Sequence, residues 1–131
     1  MREFGAFDRQ GKPITEREWS TLYADMNYKV VEQGDIGGVT VSTVWLGLDH
    51  GFGYTKRPII FETMIFTWHL CPEDVHPAIA ALEQDQWRYY TEDEARTGHE
   101  EVCRMVRHVL DAADQADEVL REVADRVTHE Q

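Results

Sequence analysis

The sequence predicts an α+β fold: an antiparallel sheet of about four strands with a short N-terminal helix and a long C-terminal helix packed on one face. Two observations predict the sheet. Residues 39–46 are rich in β-branched side chains, and residues 59–66 form the most hydrophobic stretch of the chain. A third observation predicts the long helix, because apolar or small residues recur in steps of four and three from Ala95 to Val127.

The chain has the size of a single domain. Its 131 residues, 42% hydrophobic and 29% charged, have a globular composition and leave no room for two ordinary domains. We expect residues 1–111 to form a compact body and residues 112–131 to be the distal part of the C-terminal helix, available for oligomerisation. Cys71 and Cys103 match no zinc or redox spacing, and we expect no cofactor and no metal.

The N-terminal elements follow from a capping signal and a hairpin pattern. Thr15 with Glu18 three residues later is a capping box, which predicts a short helix over residues 16–25. The residues before it are expected to be extended, with one turn. Residues 28–32 and 39–46 have the composition of strands, and the glycine-containing turn between them predicts a hairpin.

The middle of the chain is expected to alternate between loop, strand and helix. Residues 47–54 contain three glycines and are predicted to form a loop, and residues 59–66 follow as a candidate central strand. Pro72 begins a predicted short helix that runs to about Leu82. Residues 87–90 then form a last short strand.

The last helix is predicted to begin after Thr91, with Glu94 at the capping-box position. Its apolar seam has a single polar member, His99. About 36 residues at 1.5 Å each give a helix of roughly 54 Å, which is longer than a compact body of this size. The helix therefore either breaks near residues 114–117 or packs its far half on another chain. We favour the second interpretation, because the seam does not lapse.

The chain is acidic, since 25 Asp and Glu residues against 13 Lys and Arg residues give a net charge of −12. This charge argues against nucleic-acid binding through phosphates, which requires clustered Lys and Arg. No apolar run approaches the ~18 residues of a membrane span, and the N-terminus lacks the apolar region of a signal peptide. We expect a cytoplasmic protein without membrane contact, whose partners are proteins.

Four motifs carry a resemblance: GKPIT (11–15), VSTVWLGLDH (41–50), PIIFETMIF (58–66) and WRY (87–89). In this order, over about residues 7–105, the chain resembles a group of small uncharacterised proteins of actinobacteriophages and actinobacterial prophages. Members of this family have no assigned activity, so the resemblance implies a phage-type origin and a host cytoplasm but no reaction. The chain departs from the family pattern at residues 54–57 and between Thr67 and Gln86.

Ionisable residues near the predicted sheet are the candidates for a ligand site: Asp49, His50, Glu62, Arg88 and His99. Glu62 lies inside an apolar strand, where an ionised carboxylate is costly unless it is paired. If the helix packs on the face that bears Glu62, then His50, Glu62 and His99 would form a pocket for a divalent ion or an acid/base site. Alternatively, Glu62 pairs with Arg88 on the next strand, and Asp49 caps its own glycine turn.

Aromatic and basic side chains give a second set of candidates, for contact with another protein: Phe52, Tyr54, Arg57 and Trp87. Aromatic residues and Arg dominate binding hot spots. The alternative is that these residues anchor the loop or belong to the core. Nucleophilic catalysis has little support, because Ser42 stands in a strand without a nucleophile-elbow pattern.

We therefore expect a phage-type cytoplasmic protein that is a non-enzymatic protein- or small-ligand-binding module. It would act as a homo-oligomer through its C-terminal helix, with a host or phage protein as partner. Three alternatives stay open: a small metal-dependent or acid/base enzyme using His50, Glu62 and His99, a virion or assembly component, and an acidic nucleic-acid mimic. The last is open because a line of carboxylates imitates phosphate charge.

Overall fold

The computed structural model describes residues 5–129 of the chain. These residues form β1 (Ala6–Phe7), β2 (Pro13–Ile14), α1 (Glu16–Ala24), α2 (Met26–Lys29), β3 (Val30–Ile36), β4 (Val39–Trp45), β5 (Phe61–Phe66), a 3-10 helix (Pro72–Asp74), α3 (Pro77–Leu82), β6 (Trp87–Tyr89) and α4 (Glu92–His129). The predicted α+β class is confirmed, with α1 as the short N-terminal helix and α4 as the long C-terminal helix.

Four antiparallel strands form the main sheet in the order β3-β4-β5-β6, as predicted. The β3–β4 hairpin is tighter than expected, because β3 continues to Ile36 and only Gly37 and Gly38 form the turn. Both glycines have positive φ angles, 56° and 84°. This is the backbone of a type I′ turn, whose twist matches that of two paired strands and which requires residues that tolerate positive φ.

Two elements differ from the prediction for local backbone reasons. The start of the predicted strand at residues 28–32 belongs to α2, because the Asp25 side chain accepts a hydrogen bond from the backbone N–H of Asn27 and caps a helical turn there. The helix predicted over residues 72–82 is divided in two. The residue before Pro77 is extended, since a following proline disfavours helical backbone.

α4 covers one face of the sheet, which we call the inner face; the opposite face is the outer face. Side chains alternate along a strand, so Val41 and Thr43 on β4 and Thr63 and Ile65 on β5 point to α4. Burying each large aliphatic side chain contributes about 1.5–3 kcal/mol to the free energy of unfolding. The enclosed core contains Val39, Val41, Ile65, Ile79, Val102 and Val106.

A second core cluster fixes the direction of α4. Trp45, at the end of β4, is fully buried with Ala95 from the first turns of α4 and with aromatic side chains of α1 and α2. Val106 packs instead in the first cluster with Val39, at the beginning of β4. α4 therefore runs antiparallel to β4 and leaves the sheet at the end that holds the β3–β4 turn.

α4 is one continuous helix of 38 residues, roughly 57 Å long. It does not break at residues 114–117. One face of its first half is buried or half-buried as far as Leu110, whereas every side chain from Asp114 to Thr128 is exposed. Over residues 5–129, no helix has both the length and the apolar character needed to cross a membrane.

Candidate functional site

Buried polar side chains of the inner face meet at His99 of α4. Its Nδ1 atom lies 2.7 Å from the hydroxyl oxygen of Thr43, which lies 2.6 Å from the hydroxyl oxygen of Thr63. The hydroxyl of Tyr89 donates to Thr63 at 3.1 Å. These four side chains, from β4, β5, β6 and α4, form one continuous run of hydrogen bonds that we call the His99 chain.

Strand register and one glycine position the His99 chain. Thr43 and Thr63 lie directly opposite each other in the β4–β5 register, so their hydroxyls meet across the strands. Gly98 precedes His99 in α4, and a Cβ atom at this position would overlap the ring of Tyr89. Glycine is therefore required for Tyr89 to lie against α4 and reach Thr63.

One arrangement of hydrogens satisfies every hydroxyl in the His99 chain. Tyr89 donates to Thr63, Thr63 donates to Thr43, and Thr43 donates to Nδ1 of His99. The imidazole hydrogen is then on Nε2, which lies 3.6 Å from a carboxylate oxygen of Glu32. Burial lowers the pKa of His99, although nearby carboxylates act against it, and burial raises the pKa of Tyr89. Both groups are neutral near pH 7.

A shallow groove of about 640 Å³ lies between β3 and α4, beside His99. Burial raises the pKa of Cys103 in its wall, so this thiol is protonated and a weak nucleophile. The described residues contain no group of three or more His, Cys, Asp or Glu side chains that could hold a metal ion. The groove is polar and of mixed charge, lined by Glu32, Asp35, Glu100, Arg104 and Arg107 among others.

Glu62 lies on the outer face. It is adjacent to Thr63 along β5, so alternation turns the two side chains to opposite faces of the sheet. Its carboxylate accepts a hydrogen bond from Nε of Arg88 at 2.9 Å, and the two residues are direct partners in the β5–β6 register. The predicted pocket of His50, Glu62 and His99 therefore does not form, because α4 packs on the face that bears Thr63.

Asp49 and His50 belong to the loop between β4 and β5. Nδ1 of His50 lies 2.9 Å from the carbonyl oxygen of Leu48. Among the described residues, no hydrogen bond or ion pair joins His50 to the other two members of the predicted pocket. The carboxylate of Asp49 is buried and has the predicted turn-capping role, accepting hydrogen bonds at 2.8, 3.0 and 3.1 Å from the backbone N–H groups of Gly51, Gly53 and Ile59.

The predicted protein-contact residues divide into exposed and packed side chains. Phe52 and Tyr54 are exposed at the tip of the same loop, and Phe52 has a positive φ of 50°. Arg57 lies over the ring of Tyr90 and forms an ion pair with a carboxylate at the start of α4. Trp87 is half-buried against the inner-face core. The loop tip is thus available for contact, whereas Trp87 is largely a core residue.

The outer face holds an apolar groove that the sequence analysis missed. Met64 and Phe66, which share the outer face with Glu62, line a cavity of about 380 Å³. Two further lining side chains, Met26 and Trp68, are 62% and 59% exposed. We call this surface the outer groove, and its aliphatic and apolar aromatic residues are Met26, Val30, Val44, Leu46, Met64, Phe66 and Trp68.

A second apolar surface runs along the far half of α4. Leu120 is 66% exposed, and Val119, Val123 and Val127 are each about half exposed. Together these four residues make a stripe at helical spacing, which we call the distal stripe. Nothing within residues 5–129 covers it.

A charged cluster at the other end of α4 was also missed. Arg9 donates from Nε to Glu92 at 2.7 Å and from Nη1 to the carbonyl oxygen of Tyr28 at 3.1 Å. These hydrogen bonds hold the small β1–β2 hairpin against α2 and the start of α4, and the bond to Arg9 lowers the pKa of Glu92. The partners are 19 and 83 residues from Arg9 along the chain, and no sequence pattern relates positions at such separations.

Comparison of the chain with protein-family models, with curated proteins and with solved structures found no match. The phage-type origin therefore stays a prediction that rests on the four sequence motifs. The geometry described above is the basis for a functional proposal.

Proposed function

We propose that this protein is a non-enzymatic interaction module of phage type that acts as a homo-oligomer in the host cytoplasm. The distal half of α4, residues 111–129, is the oligomerisation element in this proposal. The observation that carries it is the distal stripe, an unbroken apolar face on a helix that extends beyond its own sheet.

No side chain among residues 5–129 packs over the distal stripe. Side chains of the first half of α4 are held by the core, but Leu120, Val123 and Val127 are held by nothing within the described residues. Transfer of apolar side chains from water is the main favourable term in association. A rigid helix also loses little conformational entropy when it binds, because its backbone is already ordered. These features together favour self-association over a solvated tail.

The inner-face residues give less support to an enzyme. In the His99 chain Thr43 and Thr63 are fully buried beneath α4, so no substrate can reach their hydroxyl oxygens. Glu62 is paired with Arg88, and Asp49 is engaged by three backbone N–H groups. Such satisfied groups are characteristic of structural networks.

A separate surface is available for a host or phage partner. The loop tip with Phe52 and Tyr54 is on a different element from the distal stripe, so both can be occupied at once. Aromatic side chains of this kind bury large areas on binding. Within the proposal, Phe52 and Tyr54 are the residues that contact the partner protein.

Light scattering on four chains tests the oligomerisation element: the full chain, Leu120→Glu, Gln115→Glu, and a chain that ends at Asp111. Gln115→Glu is the matched control, because it adds the same charge about 140° around the helix from Leu120. We expect the full chain and Gln115→Glu to have the mass of an oligomer. Leu120→Glu and the shortened chain should have the mass of a monomer, with circular dichroism verifying that both are folded.

Comparison of the masses of the four chains decides whether the distal half of α4 is the oligomerisation element. Equal oligomeric masses for all four chains would place the association elsewhere than on the distal half of α4. Monomeric masses for all four at about 100 µM would remove the oligomer from the proposal.

A further inference from the structure

Within residues 5–129 two of the apolar surfaces are uncovered: the outer groove on the outer face of the sheet, and the distal stripe on the part of α4 that extends past the sheet. We infer that the distal half of α4 from one copy lies in the outer groove of a second copy, and that the second copy returns the same contact. This inference rests on the proposed function and names the surface that receives the helix.

The distal half of α4 cannot fill the outer groove of its own chain. α4 packs on the inner face, leaves the sheet past the β3–β4 turn, and continues as one helix to His129. Reaching the outer face of the same sheet would require a reversal of direction, and the helix contains no break. A distal half that lies in this groove must therefore belong to another molecule.

The length of the distal half matches the surface that it would cover. Residues 111–129 extend about 28 Å at 1.5 Å per residue. The seven residues of β4 extend about 23 Å. A two-fold rotation that sets two bodies end to end then places each distal half across the partner's outer face, so that both sheets lie between two helices. Every contact occurs twice in such a closed pair, as in other isologous dimers.

Charge favours the outer groove over a pairing of two distal halves. Residues 111–129 contain six acidic residues and two arginines, a net charge of −4. Two such helices side by side would repel each other. The outer groove is lined by Lys29, and its one carboxylate, Glu62, is neutralised by Arg88. The groove therefore presents net positive charge to an acidic helix.

The short stripe also argues against a coiled coil of distal halves. Its seam covers about two heptads, and stable coiled coils are identified over three to four or more. The outer groove offers a wider apolar surface, which includes the exposed side chains of Met26 and Trp68. Methionine adapts its shape to irregular contacts, which suits a surface that receives a helix.

Disulfide cross-linking between differently tagged copies tests the inference. Both copies carry Cys71→Ser to remove the exposed native thiol. One copy carries Met26→Cys or Trp68→Cys, and the other carries Leu120→Cys; Gln115→Cys replaces Leu120→Cys as the matched control. We expect mixed disulfides between a groove cysteine and the cysteine at 120, several-fold more than with the control, and few disulfides between two copies of Leu120→Cys.

The outcomes separate this inference from the proposed function. If disulfides between two Leu120→Cys copies predominate and mixed ones are absent, the distal halves pair with each other; the oligomer then stands and the groove contact is overturned. If no disulfide forms and the mass is that of a monomer, both are overturned.

A charge reversal in the groove is a second test. Lys29→Glu should raise the dimer Kd about tenfold or more, whereas the control Lys56→Glu, outside the groove, should leave the Kd unchanged. Equal Kd values for the two variants would contradict the groove contact.

Discussion

At the scale of single residues, the inner face is organised by one neutral histidine. His99 accepts a hydrogen bond from Thr43 on one ring nitrogen and presents the other to Glu32. The two threonines are fully buried, so an unmade hydrogen bond there cannot be replaced by water. This makes the hydroxyls of Thr43 and Thr63 essential to the stability of the sheet–helix contact.

Replacing Thr43 with valine should therefore destabilise the protein. The shape of the side chain is kept, but Nδ1 of His99 and the hydroxyl of Thr63 each lose a partner, at a cost of about 1–3 kcal/mol in the free energy of unfolding. Urea denaturation measures the change. Thr21→Val, on the exposed face of α1, is the control and should change it by less than about 0.5 kcal/mol. Equal losses for the two variants would show that the buried hydrogen bonds contribute little.

Because burial lowers the pKa of His99, we expect the folded protein to lose stability as the pH falls below about 7. As pH falls through the ordinary histidine pKa of 6.5, the unfolded chain takes up a proton that the folded chain still excludes. Stability is therefore lost between about pH 7 and the lower pKa of the folded state. His99→Gln lacks this proton, so its stability should depend less on pH over the same interval. Parallel stability curves for the two proteins from about pH 7.5 to 5.5 would contradict the assignment.

At the scale of elements, the sequence predicted the type of secondary structure of each segment better than the face of the sheet that α4 covers. The capping boxes, the β-branched run and the heptad seam are local patterns, and they placed α1, β4 and α4 correctly. The face covered by α4 was not predictable from β5, because both of its faces are apolar. Phe61 and Ile65 line one face, and Met64 and Phe66 line the other.

The two apolar faces of β5 also explain why the predicted pocket of His50, Glu62 and His99 does not form. Strand alternation puts Glu62 on the same face as Met64 and Phe66, but which face α4 covers depends on tertiary packing. The pairing of Glu62 with Arg88 followed from sequence because neighbouring strands put partners at fixed positions. The Arg9–Glu92 contact did not, because it joins positions that no periodic pattern relates.

Gly98 gives a prediction about how α4 approaches the sheet. Alanine is a better helix former than glycine by about 1 kcal/mol, so Gly→Ala in a helix ordinarily stabilises. Here a Cβ atom would displace Tyr89 and break its bond to Thr63, so we expect Gly98→Ala to lose about 1–3 kcal/mol. Thermal unfolding measures the change, with Gly34→Ala as a control at a site where a Cβ meets no atom within 4 Å. A raised melting temperature for Gly98→Ala would contradict close packing there.

At the scale of the whole molecule, a small sheet and a long helix leave two apolar surfaces uncovered within the described residues. The sheet has one covered face and one open apolar groove, and α4 has one covered half and one open apolar half. Covering the inner face uses only the first half of the helix. The remaining apolar surface is best explained by association, since contiguous exposed apolar patches mark interaction sites.

The mass of the unmodified chain in solution tests this explanation most directly. Sedimentation equilibrium over a concentration series should give a mass near twice the 15.2 kDa of one chain, with dissociation only on dilution. A mass of 15.2 kDa at every concentration up to about 100 µM would contradict self-association through α4.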